Sequence, residues 1–219
     1  MELFLNDKLG KITVEVDEAS NASSILIIAH GAGAGMHHPF MNKLSKGISE
    51  NGVTAIRFNF PYMEQGRKSP GSPKSNIETW GLLVEHIASI YPGMSIFISG
   101  KSYGGRMASH LMAESATEKV KGIIYYGFPL HAPGRDSKDR ADHLPRVSVP
   151  QLFLQGSNDK LANITLMKEV IDNLRNVELE VIDHADHSFN VPKKSGKTKD
   201  EILQFLINRS VEWISTIGS

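Results

Sequence analysis

A serine stands among small residues in Gly100-Lys101-Ser102-Tyr103-Gly104-Gly105. The apolar run Ser95-Ile96-Phe97-Ile98-Ser99 comes directly before it, and Arg106-Met107-Ala108-Ser109-His110-Leu111-Met112, with helical spacing, directly after. This is G-x-S-x-G in the setting of strand, sharp turn and helix, which exposes a serine Oγ as a nucleophile. The glycines have a steric purpose. The serine takes a strained positive φ, and the residues two places either side must be small for strand and helix to pass closely. Backbone N–H groups at the start of the helix can then stabilise an oxyanion.

A serine nucleophile needs a base to take its proton and a third group to orient that base. In chains with such an elbow the acid comes next and the histidine last. Asp159 lies in the turn after the apolar run 151–155, and His187 follows the run 177–182 within Asp183-His184-Ala185-Asp186-His187-Ser188-Phe189. His187 is preferred as base because Ser188 and Phe189 can anchor its ring, with His184 as the alternative. Asp159 is preferred as acid. Asp142 lies among many charges, and Asp183 and Asp186 are too near His187 in sequence to reach its far nitrogen. The oxyanion donors expected are the N–H of Tyr103 and one from the loop His30-Gly31-Ala32-Gly33-Ala34-Gly35, Ala32 first and Gly33 next, with His30 tying that loop together.

Other chemistries fit less well. Gly100-Lys101-Ser102 matches the end of a P-loop, but the first glycine of that motif would fall on Ser95, and residues 96–99 read as strand. The run Gly31 to Gly35 would need glycine at Met36 to make a dinucleotide fingerprint. His184, Asp186 and His187 form one H-x-D-H tripod with no second cluster, a weak metal signal, so no metal is expected.

The elements that must position these residues alternate. Two amphipathic strands, 2–6 and 12–17, suggest a hairpin, and apolar runs at 24–29, 53–58, 95–99, 121–126, 151–155 and 177–182 read as strands covered on both faces. Helical patterns at 40–50, 77–90, 103–114, 161–174 and 199–217 separate them. The expected architecture is α/β: a mostly parallel central sheet with helices on both faces and an antiparallel N-terminal hairpin. The loops after the strands should meet on one rim, where open parallel sheets bind ligands.

The chain of 219 residues carries 24 Lys+Arg against 24 Asp+Glu, a formal net charge of zero, with 40% apolar residues and no cysteine. This suits a single soluble domain over residues 1–219. Neutrality lacks the field of a nucleic-acid binder. Without cysteine there are no disulfides, thiolate metal sites or Cys nucleophiles. No apolar run approaches a membrane span, and the N-terminus does not read as a signal peptide, so a cytoplasmic protein is expected.

His30-Gly31, the string Gly100-Lys-Ser-Tyr-Gly-Gly-Arg-Met-Ala-Ser109, Gln155-Gly-Ser-Asn-Asp159 and His184-Ala-Asp-His-Ser-Phe189 together resemble the α/β-hydrolase superfamily in its small, lidless form. The elbow string is especially similar to predicted hydrolases related to dienelactone hydrolases, and to the hydrolase-like domains of a testis-expressed protein and a histone-acetyltransferase-complex subunit. The similarity runs from about residue 12 to the last helix. It implies the α/β-hydrolase fold, the triad Ser102, Asp159 and His187, and no cofactor. Dienelactone hydrolases proper use a cysteine nucleophile, which this chain lacks, so their substrate is not carried over.

Larger relatives place a helical lid where residues 131–148 stand here; that segment is rich in charge and has no broad apolar face, so the site is expected to be open. The expected partner is a small soluble acyl substrate, with neither nucleic acid nor membrane involved, and the expected reaction is cleavage of an ester, thioester or similar bond. Basic loops at Arg67-Lys68 with Lys74, and from Lys193 to Lys199, are read first as solvated loops and second as recruiters of an anionic substrate. Met36, His37, Tyr62, Met63 and Phe128 are candidates for pocket lining or for core. The competing function is a non-catalytic binding module that keeps the fold; a His187 ring unable to approach Ser102 would favour it.

Overall fold

The computed structural model describes residues 1–115 and 117–218. Eight strands form one sheet: β1 Glu2–Asn6, β2 Gly10–Asp17, β3 Ser24–Ala29, β4 Thr54–Phe58, β5 Ser95–Lys101, β6 Val120–Tyr126, β7 Gln151–Gly156 and β8 Val177–Ile182. Their spatial order is β1-β2-β4-β3-β5-β6-β7-β8. The pairs β1/β2 and β2/β4 are antiparallel and all the others parallel, so the N-terminal hairpin edges an otherwise parallel sheet as expected.

Strands β3, β4 and β7 are buried along their whole length, which is why they read as unbroken apolar runs. Their side chains feed two cores by simple alternation. Ile25, Ile27, Ile96, Ile98, Ile123, Tyr125 and Phe153 pack beneath helices α3 Pro73–Ile90, α4 Tyr103–Glu114 and α5 Ile164–Ile171. On the opposite face Leu26, Ile28, Phe97, Ile124, Tyr126, Leu152 and Leu154 pack beneath α1 Pro39–Glu50 and α6 Lys199–Gly218.

Among the boundaries that differ from the sequence reading, two have a clear local reason. Helix α5 spans eight residues, less than the expected 161–174. Leu161 and Ala162 donate their N–H groups to the Asp159 side chain and carbonyl instead, and Asn163 then caps the helix by accepting from Thr165 and Leu166. Residues 61–76, between the expected strand 53–58 and the expected helix 77–90, hold the short helix α2 Pro61–Glu64 and the first turn of α3. Each begins with proline at its first position, where the missing N–H costs nothing.

The strand order locates the site. From β3 the chain moves outward to β4, then crosses back over β3 to β5 and proceeds to the other edge. The switch therefore falls between β3 and β5, and the crevice beyond their carboxyl ends is where such sheets bind ligands. The loop of residues 30–38 and the elbow at Ser102 both leave the sheet there.

Candidate active site

Ser102 is the N-cap of α4, with φ 51° and ψ −115°. That conformation costs a non-glycine residue about 1–3 kcal/mol and persists only where its surroundings over-determine it. They do so here. The Ser102 N–H donates to the Tyr126 carbonyl at 3.1 Å, and the Ser102 carbonyl accepts from Arg106 N at 3.1 Å, so one residue ends a strand and starts a helix. Close contact enforces the glycines. A Cβ on Gly100 would sit 2.3 Å from Gly105 N, and one on Gly104 would sit 2.6 Å from the His30 carbonyl oxygen.

The turn after β8 brings His187 to this serine, with Nε2 2.8 Å from Ser102 Oγ. On the other side Nδ1 lies 2.6 Å from Asp159 Oδ2. A carboxylate can only accept, so Nδ1 carries the proton and Nε2 presents its lone pair to the serine hydroxyl. The Asp159 carboxyl is fully buried. It also accepts from Gln155 Nε2 at 2.6 Å and from Leu161 N at 2.7 Å. Gln155 can play this part in one orientation only, with its amide nitrogen toward the carboxylate.

The alternatives named from sequence fall elsewhere. His184 is exposed at φ 62°, its N–H bonded to Ser157 Oγ and its carbonyl to Asn158 Nδ2. Asp186 folds its own loop, accepting from the N–H groups of Ser188 and Asn190. Burial opposes ionisation of Asp186, but the Asn190 side chain and these N–H groups outweigh it and hold its carboxyl below the ordinary value. Asp142 and Asp183 are exposed. Among the described residues, no group of three or more His, Asp or Glu is placed to hold a metal ion.

The Gly31 loop runs against the elbow: a Cβ on Gly31 would lie 3.5 Å from the Lys101 carbonyl oxygen and 3.7 Å from Ser102 Cβ. Ala32 thereby lines the same cleft as Ser102. Tyr103 is the first residue of α4, so its N–H has no acceptor within the helix. His30 ties the loop down. Its Nδ1 donates to the Gly31 carbonyl at 2.8 Å and its Nε2 accepts from Phe60 N at 3.1 Å. Burial lowers its pKa to about 4, so the imidazole stays neutral in this role.

Lys101, read only as part of a failed P-loop, has a structural part beside the serine. Its Nζ donates to the His187 carbonyl at 2.5 Å and sits 5.3 Å over the Phe189 ring. Burial pushes its pKa down to about 8, against the pull of Asp159 and Asp186. The residue before Ser102 thus clamps the His187 loop. A Gly-Lys-Ser string that fails as a phosphate loop yet adjoins the candidate serine is the signal available in the sequence.

The cleft over Ser102 encloses about 330 Å³. Phe40, Met41 and Leu161 line it with His187 and Lys199, whereas Met36, Tyr62 and Phe128 belong to the buried interior. Lys193, Lys194 and Lys197 are exposed. Residues 131–148 form no part of this cleft; they fold into two short 3-10 turns whose Ala141, Leu144 and Val147 join the core beneath α4.

A mostly parallel sheet with its serine elbow at the switch point is the architecture of an α/β-hydrolase. Residues 22–215 match the model of the alpha/beta hydrolase domain family, and the chain belongs to that family. Among solved structures, a dienelactone hydrolase from Anabaena variabilis superposes with a TM-score of 0.82 at 18% identity, over 100% of this chain and 97% of that one. An alpha-beta serine hydrolase homologue from Coxiella burnetii gives 0.76 at 18% identity, over 97% and 96%. A serine hydrolase without a lid from Xanthomonas campestris gives 0.69 at 19%, over 97% and 93%. At these identities the likeness is one of fold. No helix among the described residues is long and apolar enough to cross a membrane.

Proposed function

We propose that this protein is a serine hydrolase that cleaves an ester, thioester or similar acyl bond of a small soluble substrate. The observation that carries the proposal is the continuous chain from Ser102 Oγ through His187 to the buried Asp159 carboxyl, at 2.8 and 2.6 Å. As Ser102 Oγ attacks the carbonyl carbon, its proton passes to His187 Nε2, and Asp159 stabilises the imidazolium so formed. The negative charge on the substrate oxygen is met by the N–H groups of Tyr103 and Ala32. His187 then gives its proton to the leaving alkoxide or thiolate. Water repeats the sequence on the acyl-enzyme and releases the acid.

An uncovered cleft of about 330 Å³ suits a short acyl group and lacks the apolar cover a long chain requires. A non-catalytic binding module, the competing reading, has no use for a base at 2.8 Å from a strained serine. Incubation with a fluorophosphonate followed by peptide mapping tests the proposal: one adduct, on Ser102, is expected. No adduct, or one elsewhere, overturns it. With p-nitrophenyl esters of increasing length, kcat/KM should be highest for short chains, and a rise toward long chains would contradict the substrate class.

A further inference from the structure

A second cavity, of about 540 Å³, opens between α3, α4 and the segment joining β6 to β7. No residue lines both it and the Ser102 cleft. Its polar walls are Lys74, Arg106, His110 and Arg140, with Glu114 and Asp139 exposed at the rim.

Among the arginines that are not exposed, the two here differ from the other two, Arg57 and Arg209. Arg57 meets Glu15 at 2.9 Å and Asp17 at 3.2 Å, and Arg209 meets Glu178, Glu180 and Glu212. Arg106 and Arg140 form no ion pair among the described residues. Arg106 lies 5.7 Å over the Tyr103 ring, and its buried Nε has no hydrogen-bond partner. Arg140 gives Nη1 to the His131 carbonyl at 3.0 Å. Burial lowers the Arg106 pKa, and the like charge of Arg140 lowers it further. His110 faces Glu114, its Nδ1 3.7 Å from Oε1. It stacks on His143 with ring centroids 3.7 Å apart, and burial lowers the pKa of both rings, helped by His143's neighbour His110 and by Arg106.

Two half-buried guanidiniums with no ion pair among the described residues carry a desolvation cost that one carbonyl and one ring offset only in part. An anion between them would offset the rest. The three permanent cations outnumber Glu114 and Asp139, which are exposed to solvent, and so favour an anion; a tetrahedral dianion can offer separate oxygens to two planar guanidinium forks and one ammonium. We propose that this cavity binds a phosphoryl dianion, free or carried by a small molecule, between Arg106 and Arg140, with Lys74 at the mouth. The site is independent of the serine chemistry proposed above.

The test is a titration with inorganic phosphate at constant ionic strength, balanced with chloride and followed by thermal shift and phosphorus NMR. Wild type and Ser102→Ala should show the same saturable stabilisation. Arg106→Met and Arg140→Met should each weaken it about tenfold or more, the scale of one lost charge-assisted bond. Arg106→Lys keeps the charge but loses the fork and should fall between. Tighter binding of glycerol phosphate than of inorganic phosphate would identify a phosphate ester as the ligand, and the reverse the free ion. Should Arg106→Met not fold, Arg140→Met and the exposed Lys74→Met decide. No saturable effect beyond chloride, or equal affinity across the Arg140 and Lys74 variants, overturns the proposal.

Discussion

The cleft at Ser102 and the cavity at Arg106 begin one turn apart on α4 and are built on opposite terms. In the first, the serine, the imidazole and the carboxylate are matched within the chain, although Gln155 Oε1 behind them is buried without a partner. The serine hydroxyl meets the imidazole, the imidazole meets a carboxylate, and that carboxylate is held by a glutamine amide and a backbone N–H. In the second, two guanidiniums line one cavity without an ion pair among the described residues, and one nitrogen is buried without a partner. A matched network is ready before any ligand arrives, and its strain sits in the backbone, at φ 51° for Ser102, 62° for His184 and 60° for Phe189. An unmatched one carries its cost in electrostatics, and an arriving anion relieves it.

The widest separation between the two regions should come from Ser102→Ala. It removes one oxygen atom and should lower kcat by about 10⁴-fold or more on any ester the protein accepts, with folding intact. Phosphate affinity in the second cavity should not change, and a shift in both readouts would break the separation. Asp159→Asn should cost about 10²–10⁴-fold in kcat. An amide can turn its NH₂ toward Nδ1, which moves the ring proton to Nε2 and points a donor at the serine. Recovery of activity at high pH would show the tautomer argument to be mistaken.

The matched site was legible in the sequence and the unmatched one was not, for a physical reason. Ser102, Asp159 and His187 each follow a strand, so the apolar runs that mark the strands also mark the rim where the three residues meet. The choice between His187 and His184 could be argued only weakly, because which loop residue turns inward depends on left-handed backbone at His184 and Phe189. The boundaries of α5 were misjudged because Asp159 withholds Leu161 and Ala162 from the helix, a tertiary effect absent from local periodicity. The Arg106 cavity needs three elements distant in sequence. In the sequence Lys74 falls in a basic loop, Arg106 in the elbow helix and Arg140 in the charged segment 131–148; no spacing rule connects them.

Lys101 offers a smaller and sharper test, since it is a buried cation whose partner is a carbonyl instead of an acid. Desolvation brings its pKa to about 8 from an ordinary 10.5, with Asp159 and Asp186 opposing the shift. Between those values the unfolded chain holds a proton that the folded chain has released, so stability rises with pH across that window. Activity should move the other way. The neutral amine donates a weaker bond to the His187 carbonyl than the ammonium does, so kcat should decline as pH passes about 8. Lys101→Met should lack that decline and start from a plateau about tenfold lower. Parallel pH profiles of kcat and of thermal denaturation check this, and activity that tracks stability would reduce Lys101 to a packing role.

The smallest effect belongs to His184→Asn. His184 stands in the same turn as His187, the proposed base, and its exposed ring makes no hydrogen bond among the described residues. Its backbone is what the turn uses, through Ser157 Oγ and Asn158 Nδ2. Asparagine tolerates φ 62° better than most residues, so the turn should keep its shape. Stability should stay within about 0.5 kcal/mol and kcat/KM within about twofold. The substitution isolates the claim that a histidine matters here only when its ring is matched on both nitrogens. A loss approaching that of His187→Ala would transfer the base to His184, and with it the premise that the contacts seen at rest are those used in turnover.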